Sequence, residues 1–273
     1  MKIIFIGDIV GRSGREAVQD NLTNLKKKYK PDIIIANAEN AASGYGLTIK
    51  IADQLFNQGI DILTLGNHAW DQKEMLSYIE ECPKIIRAIN YPLGVPGKGK
   101  IKINLQDGRS LLVIQAMLRL FMETFLDDPF EKVSNILSSE ILGRTCSSIL
   151  IDLHGEATSE KNAFAHYFDG KVTAILGTHT HVPTSDDRIF ENGTAYQTDV
   201  GMTGDFDSVI GFKKEGPIHQ FTKGYRNNGR FKVADNTAVL CACFVECNSE
   251  NGLADKITML HYGNKPSFFS HST

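Results

Sequence analysis

The chain has 273 residues, of which 42% are hydrophobic and 22% charged, a balance that excludes collagen-like, mucin-like and largely disordered proteins. Its 29 basic and 32 acidic residues give a net charge of −3, so we expect no stable binding to nucleic acid or to an anionic membrane surface. No apolar run approaches the roughly 18 residues that a membrane span needs.

In the first two thirds of the chain, short apolar runs alternate with helical patterns. Ser13 followed by Glu16 predicts a capping box, and Asp71 with Glu74 predicts the start of a later helix. Gln106-Asp-Gly108 predicts a hairpin turn. The predicted helices are 14–29, 48–58, 71–81, 129–142 and 160–167, and the predicted strands are 2–6, 32–37, 61–65, 84–87, 100–105, 111–115, 148–152 and 172–177.

From about residue 194 the pattern changes to strands and turns. Asn227-Asn-Gly229 predicts a hairpin between strands 220–225 and 230–233, and the run 238–246 is expected to pair with 256–261. Without a linker, a repeat or a low-complexity segment, the sequence predicts one α/β domain over residues 1–273, with the β-rich final third extending the same core.

Cysteine usage predicts a reducing compartment. The apolar opening segment is cut short by Gly7 and Asp8, so we interpret it as a strand rather than an export signal. Five scattered cysteines in such a chain favour free thiols in the cytoplasm. Three of them lie in one β-prone run, where we expect buried strand residues rather than a metal site. The cysteines are Cys82, Cys146, Cys241, Cys243 and Cys247.

Five segments at predicted strand ends are rich in metal-ligating side chains. Because the carboxyl ends of strands share one edge of an open α/β sheet, these distant segments are expected to converge. Carboxylates and carboxamides mixed with imidazoles, without a thiolate, favour manganese, iron, zinc or nickel. Such crowded ligands would repel or desolvate one another without a cation, so together they predict a metal centre. The segments are 7–8, 38–40, 66–68, 152–156 and 177–181.

Each segment taken alone has a simpler explanation. Asp8 after a strand is typical of a turn or a helix cap, and Asn40 and Asn67 are each compatible with a left-handed turn. His154 is equally compatible with a hydrogen-bonded core histidine. The pair His179 and His181 is harder to explain in this way, because side chains two residues apart on an extended segment point in the same direction.

The motifs resemble those of a known superfamily. Gly66-Asn67-His68 and Gly177-Thr-His179-Thr-His181 resemble the GNH and GHTH-like blocks of calcineurin-like metallophosphoesterases. The segments 6–11, 37–42, 152–161 and 198–204 resemble one branch, the bacterial YmdB-like phosphodiesterases, which act on cyclic nucleotides. The resemblance spans residues 1 to about 265. It implies a β-sandwich of two mixed sheets flanked by helices, with the active site at the C-terminal ends of strands.

Two departures from the superfamily pattern agree with the narrower branch. The usual Asp-x-His opening is Asp8-Ile-Val10 here, so one histidine ligand is missing. Glu39 replaces the usual bridging aspartate, and the Asn40 that follows it is a candidate for the lost ligand. The segment 116–122 is apolar where the branch tends to carry a more polar loop.

The resemblance implies a site for two metal ions, with iron or manganese expected and zinc as the alternative. One ion would be held by Asp8, Asn40 and His181 and the other by Asn67, His154 and His179, with Glu39 bridging both. Such ions lie about 3.5–4 Å apart. A hydroxide between them would attack phosphorus in line, while the ions neutralise the charge that develops on the phosphate.

His68 follows the ligand Asn67 but has no obvious place among the ligands. An imidazole can protonate a departing alkoxide at pH 7, so we expect His68 to act as the general acid. The alternative is a histidine that only orients a ligand.

Three functions remain open at this stage. The leading one is a dinuclear phosphodiesterase that hydrolyses 2',3'- or 3',5'-cyclic nucleotides, or both. The second is a phosphomonoesterase or phosphoprotein phosphatase on the same centre, because the metals contact only the phosphoryl group. The third is a regulatory protein that binds a metal or a nucleotide without turnover. The expected partner is a small phosphoester substrate, and a homo-oligomer is left open.

Overall fold

The computed structural model describes residues 1–226 and 229–263. In these residues, twelve strands form two mixed β-sheets, and six helices pack beside them. The strands are β1 (Lys2–Ile6), β2 (Ile33–Asn37), β3 (Ile62–Thr64), β4 (Ile85–Ile86), β5 (Lys100–Asn104), β6 (Ser110–Met117), β7 (Ser148–His154), β8 (Ala174–Thr178), β9 (Arg188–Ile189), β10 (Ala195–Gln197), β11 (Val239–Cys247) and β12 (Ala254–Gly263). The helices are α1 (Gly11–Tyr29), α2 (Ile49–Gln58), α3 (Met75–Glu81), α4 (Pro129–Leu137), α5 (Thr158–Tyr167) and α6 (Glu215–Lys223).

Each sheet combines a run of parallel strands with antiparallel strands, at one side in the first sheet and at both edges in the second. The first has the order β12-β11-β1-β2-β3-β4, in which β1 to β4 are parallel and β11 is antiparallel to both of its neighbours. The second has the order β5-β6-β7-β8-β10-β9, with parallel pairing from β6 through β10 and an antiparallel strand at each edge. The carboxyl ends of the parallel strands therefore lie at one edge of each sheet.

Alternation along the strands places the two sheets face to face. In β1, Ile3 and Phe5 enter the core between the sheets, whereas Ile4 and Ile6 face the layer that contains α1 and α2. Each such buried side chain stabilises the fold by about 1.5–3 kcal/mol. The outer face of the second sheet packs against α4 and α5. This confirms the predicted class, two mixed sheets flanked by helices.

The last third of the chain adds strands to both sheets. The predicted pairing of 238–246 with 256–261 is confirmed, since β11 and β12 are paired with Phe244 opposite Thr258. Cys243 and Cys247 face the core between the sheets. Burial raises the pKa of both thiols, so they act as small apolar residues there.

The predicted strand 220–225 is wrong, because residues 220–223 form the last turn of helix α6, which Gly224 caps with a φ of 79°. The segment 230–233 does not form a strand either, and Val233 makes only an isolated bridge with Phe212. The turn residues Asn227 and Asn228 of the predicted hairpin lie outside the described residues. Among the described helices, none is both long enough and apolar enough to cross a membrane.

Two predicted helix starts are also wrong, and tertiary contacts explain the first. Helix α1 begins at Gly11 instead of residue 14, because Val10 and Gly11 donate backbone hydrogen bonds to other segments. Ser13 therefore caps nothing, and its hydroxyl donates to Ala234 O at 3.3 Å. Helix α3 begins at Met75 rather than at 71. Helix α4 starts as expected but ends at Leu137 rather than 142.

Candidate active site

Five loops meet where the parallel strands of both sheets end. They follow β1, β2 and β3 in the first sheet and β7 and β8 in the second. Two hydrogen bonds tie the sheets together at this edge. Asn37 Nδ2 donates to Asp152 Oδ2 at 3.2 Å, and His179 N donates to Asp8 Oδ2 at 3.1 Å. The structure thereby brings all eight predicted site residues to one place, namely Asp8, Glu39, Asn40, Asn67, His68, His154, His179 and His181.

One group of these side chains can hold a metal ion. Ligand atoms of Glu39, His154 and His179 all lie within 4.8 Å of one another. His154 Nε2 lies 3.0 Å from Glu39 Oε1, 3.2 Å from His179 Nδ1 and 2.8 Å from Asn67 Oδ1. A single imidazole nitrogen cannot satisfy three such neighbours with one proton, whereas a cation among them would.

The second predicted group also lies close to Glu39. Asn40 Nδ2 is 3.1 Å from His181 Nε2 and 3.4 Å from Glu39 Oε1, and Asp8 Oδ1 is 4.0 Å from His181 Nε2. Asp8 Oδ1 is buried without a hydrogen-bond partner among the described residues, which is costly unless a cation compensates it. Rotating the Asn40 amide would exchange its nitrogen for an oxygen ligand. The residues of the first group therefore fit a metal ion, and the buried Asp8 oxygen beside His181 is compatible with a cation there too.

Neighbouring groups orient two of the imidazoles toward this centre. Thr178 Oγ1 donates to Asp152 Oδ1 at 2.7 Å, so it accepts from His154 Nδ1 at 2.9 Å, and His154 Nε2 is the ring nitrogen that faces the centre. His181 Nδ1 likewise donates to Ile210 O at 2.8 Å, which leaves its Nε2 facing Asn40. Fixing the tautomer in this way is typical of metal-ligating histidines.

The loop after β8 has an unusual backbone. His179 and His181 have φ values of 101° and 66°, which residues other than glycine rarely adopt. Asp199 holds the loop, since its Oδ2 accepts from Thr180 N at 3.0 Å and from Lys161 Nζ at 2.9 Å. Lys161 and Asp199 are fully buried. No local pattern predicted this pair, although both residues lie in segments that resemble the YmdB-like branch.

A glycine allows the ligands to approach each other. A Cβ at Gly66 would lie 2.3 Å from His154 Nε2 and 2.5 Å from Glu39 Oε2. Both distances are far below van der Waals contact, so no other residue fits at position 66 without moving a ligand.

The charges in the site depend on each other. Burial raises the pKa of Asp8 to about 6. Burial alone would lower the pKa of His154 and raise that of Glu39, but their mutual attraction raises the first to about 9 and lowers the second well below its usual range. Burial and the neighbouring His154 lower the pKa of His179 to about 3. These shifts favour the protonated form of His154 at a place where a cation fits.

His68 lies beside this centre but outside both groups of ligands. Its backbone N–H donates to Glu39 Oε2 at 2.8 Å, and its Nδ1 lies 2.8 Å from Asp71 Oδ2. Arg230 Nη2 donates to the other Asp71 oxygen at 3.1 Å. Sequence reasoning assigned Asp71 to a helix start and missed Arg230. The contact of Asp71 with His68 could have been predicted from their spacing of three residues. No local signal marks Arg230.

Comparisons with known proteins agree on one family. The family model described as YmdB-like protein matches residues 4–260. A Bacillus subtilis (strain 168) protein named 2',3'-cyclic-nucleotide 2'-phosphodiesterase is 43% identical over 98% of this chain and 100% of its own length.

Two crystal structures are similar along nearly their whole lengths. A hypothetical protein from Thermus thermophilus is 41% identical with a TM-score of 0.89, covering 97% of this chain and 100% of its own. A protein from Mycoplasma pneumoniae described as a novel phosphatase is 34% identical with a TM-score of 0.90, covering 100% of this chain and 97% of its own.

Proposed function

Because the chain belongs to the YmdB-like protein family, we propose that it hydrolyses 2',3'-cyclic nucleotides with two transition-metal ions in the centre described above. Hydrolysis of a phosphoric ester is the activity that the names of its relatives share. The observation that carries the proposal is the convergence of Glu39, His154 and His179 beside an unpartnered Asp8 oxygen.

The donor set supports iron or manganese as the bound ions. Carboxylate, carboxamide and imidazole ligands without a thiolate suit these metals, with zinc as the alternative. One ion is assigned to Asp8, Asn40 and His181, the other to Asn67, His154 and His179, and Glu39 is assigned to both. Two cations at this site would neutralise phosphoryl oxygens and make a water molecule a strong nucleophile near neutral pH.

The chain itself supplies the proton for the leaving group. Asp71 accepts from His68 Nδ1, so the other ring nitrogen, Nε2, is the atom that holds the proton for the departing oxygen. The hydrogen bond from His68 N to Glu39 Oε2 fixes this imidazole next to the metal ligands. General-acid assistance of this kind is typically worth about 10²–10⁴ in rate.

A phosphomonoesterase is the second candidate, because a protein with a similar structure is described as a phosphatase. The deciding experiment measures turnover of 2',3'-cyclic AMP, 3',5'-cyclic AMP and p-nitrophenyl phosphate with added manganese or iron. We expect 2',3'-cyclic AMP to be the best substrate. Preference for p-nitrophenyl phosphate would favour the second candidate, and no turnover of any ester would reject both.

Two variants separate the roles of the residues. His68→Ala is expected to keep its full metal content and to lose about 10²-fold or more in kcat on 2',3'-cyclic AMP, whereas His154→Ala is expected to lose metal. His166→Ala is the matched control, since His166 is exposed and stacks on Phe190 with the ring centroids 4.4 Å apart. Unchanged turnover in His68→Ala would exclude the acid role, and metal loss in this variant would make His68 structural.

A further inference from the structure

A cationic cleft lies on the His68 side of the candidate active site. It has a volume of about 520 Å³, and α6 and the segment 229–232 provide most of its wall. Its basic and aromatic lining residues are Lys213, His219, Arg226, Arg230, Phe231 and Lys232. We refer to this concavity as the basic cleft.

Contacts of Arg230 connect the basic cleft to the catalytic residues. Its guanidinium donates to Asp71 Oδ1 and lies 4.7 Å from the centre of the Tyr45 ring. The Tyr45 ring in turn meets His68 edge-on, with the ring centroids 5.4 Å apart. The basic cleft is therefore two side-chain contacts away from the imidazole that is assigned to the leaving group.

The positive charge of the basic cleft exceeds its local compensation. Four cationic side chains and one carboxylate, Glu215, line it. Lys213 pairs with Asp235 at 2.9 Å and Arg230 with Asp71 at 3.1 Å. Arg226 is bonded to the neutral Gln220 Oε1 at 2.6 Å, and Lys232 pairs with no carboxylate in the part of the chain that the structure describes. Such an excess is unexpected in a chain with a net charge of −3.

Two further features of the wall indicate a nucleotide-like anion. His219 Nε2 is buried without a hydrogen-bond partner among the described residues, which is costly unless a bound polar group compensates it. The Arg226 guanidinium carbon lies over the ring of Phe231, 4.6 Å from its centroid. Guanidinium and ammonium groups bind phosphate through strong charge-assisted hydrogen bonds, and an aromatic ring beside them provides a surface on which a base can stack.

We propose that the basic cleft binds a second phosphoryl group of the substrate, on the 5' side of the nucleotide whose cyclic phosphate is hydrolysed. This inference rests on the proposed function, because His68 marks the side of the site on which the ribose of the leaving group lies. A cyclic mononucleotide has one phosphate, which the metal centre binds, and it leaves the basic cleft without an anion. The preferred substrate therefore carries either a 5'-phosphate or the phosphodiester of a preceding nucleotide.

Steady-state kinetics on three substrates test the proposal and distinguish the two sources of the second phosphate. They are 2',3'-cyclic AMP, the same compound with a 5'-phosphate, and the dinucleotide ApA ending in a 2',3'-cyclic phosphate. At least one of the last two is expected to have a kcat/KM about tenfold above that of 2',3'-cyclic AMP, mainly through KM, as two charge-assisted hydrogen bonds can supply. A higher kcat/KM for the dinucleotide alone would identify a phosphodiester as the group bound in the basic cleft. A higher kcat/KM for the 5'-phosphorylated mononucleotide alone would identify a phosphate monoester. Equal kcat/KM values for all three would overturn the proposal.

A double variant tests the residues. In Lys213→Gln/Lys232→Gln, the ratio of kcat/KM between the two-phosphate and one-phosphate substrates should fall to near one. Both lysines are exposed, so the variant is expected to fold, and its thermal unfolding midpoint checks this. Lys27→Gln, an exposed lysine near the end of α1, is the matched control and should keep the ratio. An unchanged ratio in the double variant would contradict the assignment.

A binding measurement separates this proposal from the proposed function. Calorimetry compares adenosine 3',5'-bisphosphate with adenosine 3'-monophosphate, and the bisphosphate is expected to bind about tenfold more tightly to the parent chain but not to the double variant. This difference does not require turnover, so it would persist even if no cyclic nucleotide were hydrolysed. Equal affinity of the two nucleotides for the parent chain would overturn the proposal for the basic cleft whatever the outcome for catalysis.

Discussion

Nε2 of His154 lies 3.0 Å from Oε1 of Glu39, and both side chains are almost completely buried. Burial alone would discharge such a pair, but the attraction between the two groups keeps His154 protonated, with its pKa raised to about 9. This proton occupies the lone pair of His154 Nε2 that a metal ion would need. Metal binding and proton binding are therefore in competition at this atom.

We expect Mn²⁺ binding to release about one proton from His154 at pH 7 to 8. The ring holds its proton below its pKa of about 9, so the release should be complete near neutral pH and should disappear as the pH rises above 9. Calorimetric titrations in two buffers with different ionisation enthalpies measure it, and His166→Ala should release the same number of protons as the parent. A binding enthalpy that does not depend on the buffer would contradict this prediction.

Gly66→Ala should weaken Mn²⁺ binding by about 10- to 100-fold, the usual effect of disturbing the groups that orient metal ligands. The reason is that the new methyl group would lie within 2.5 Å of both His154 Nε2 and Glu39 Oε2. Equilibrium metal binding checks it. Gly108→Ala is the control, since a Cβ at this hairpin position meets nothing within 4 Å. Equal Mn²⁺ affinity in Gly66→Ala and the parent would show that the ligands need no such close approach.

Asp71→Asn should lower kcat for 2',3'-cyclic AMP by about 10²-fold, in line with general-acid contributions, because an amide can stabilise the wrong tautomer of His68. Turnover of bis(p-nitrophenyl) phosphate should change much less, since its leaving group needs no proton. Measuring both substrates at full metal content separates this positioning effect from a structural one. Asp107→Asn, in the turn between β5 and β6, should affect neither substrate. A similar loss on both substrates would argue against the role of Asp71 in proton transfer.

Lys161→Met should lower the free energy of unfolding by about 3–5 kcal/mol, since it leaves Asp199 as a buried, unpaired charge. Burial alone would raise the pKa of Asp199, but Lys161 lowers it below the usual 3.8. The ionised carboxylate thus contributes stability above this pH, and the contribution is lost as the pH falls through the folded-state pKa.

Urea unfolding at pH 7 and at pH 3 checks the stability effect and its sign. The deficit of Lys161→Met relative to the parent should be larger at pH 7 than at pH 3. Lys161→Met/Asp199→Leu, which removes both charges, should recover part of the stability. A double variant no more stable than Lys161→Met would indicate that lost packing, and not the unpaired charge, causes the deficit.

Sequence patterns were sufficient where the determining signal is local. A short continuous apolar run that stops at Gly7 and Asp8 identified β1, and a β-prone run identified β11 with its buried cysteines. Polar ligand types immediately after short strands marked the candidate site, because parallel strands end at a common edge. The patterns failed where a second segment decides, since the contacts of Val10 and Gly11 moved the start of α1. They also failed at 220–223, which form the last turn of α6.

By itself the sequence determined most of the alternation of helices and strands and the set of side chains at the carboxyl ends of strands. Only the tertiary structure decided that Arg230 meets Asp71 and that Lys161 meets Asp199, contacts that join residues 159 and 38 positions apart. The physical reason is that periodicity and turn chemistry encode backbone conformation and burial over a few residues. Contacts between distant residues depend on how the two sheets and their loops pack against each other.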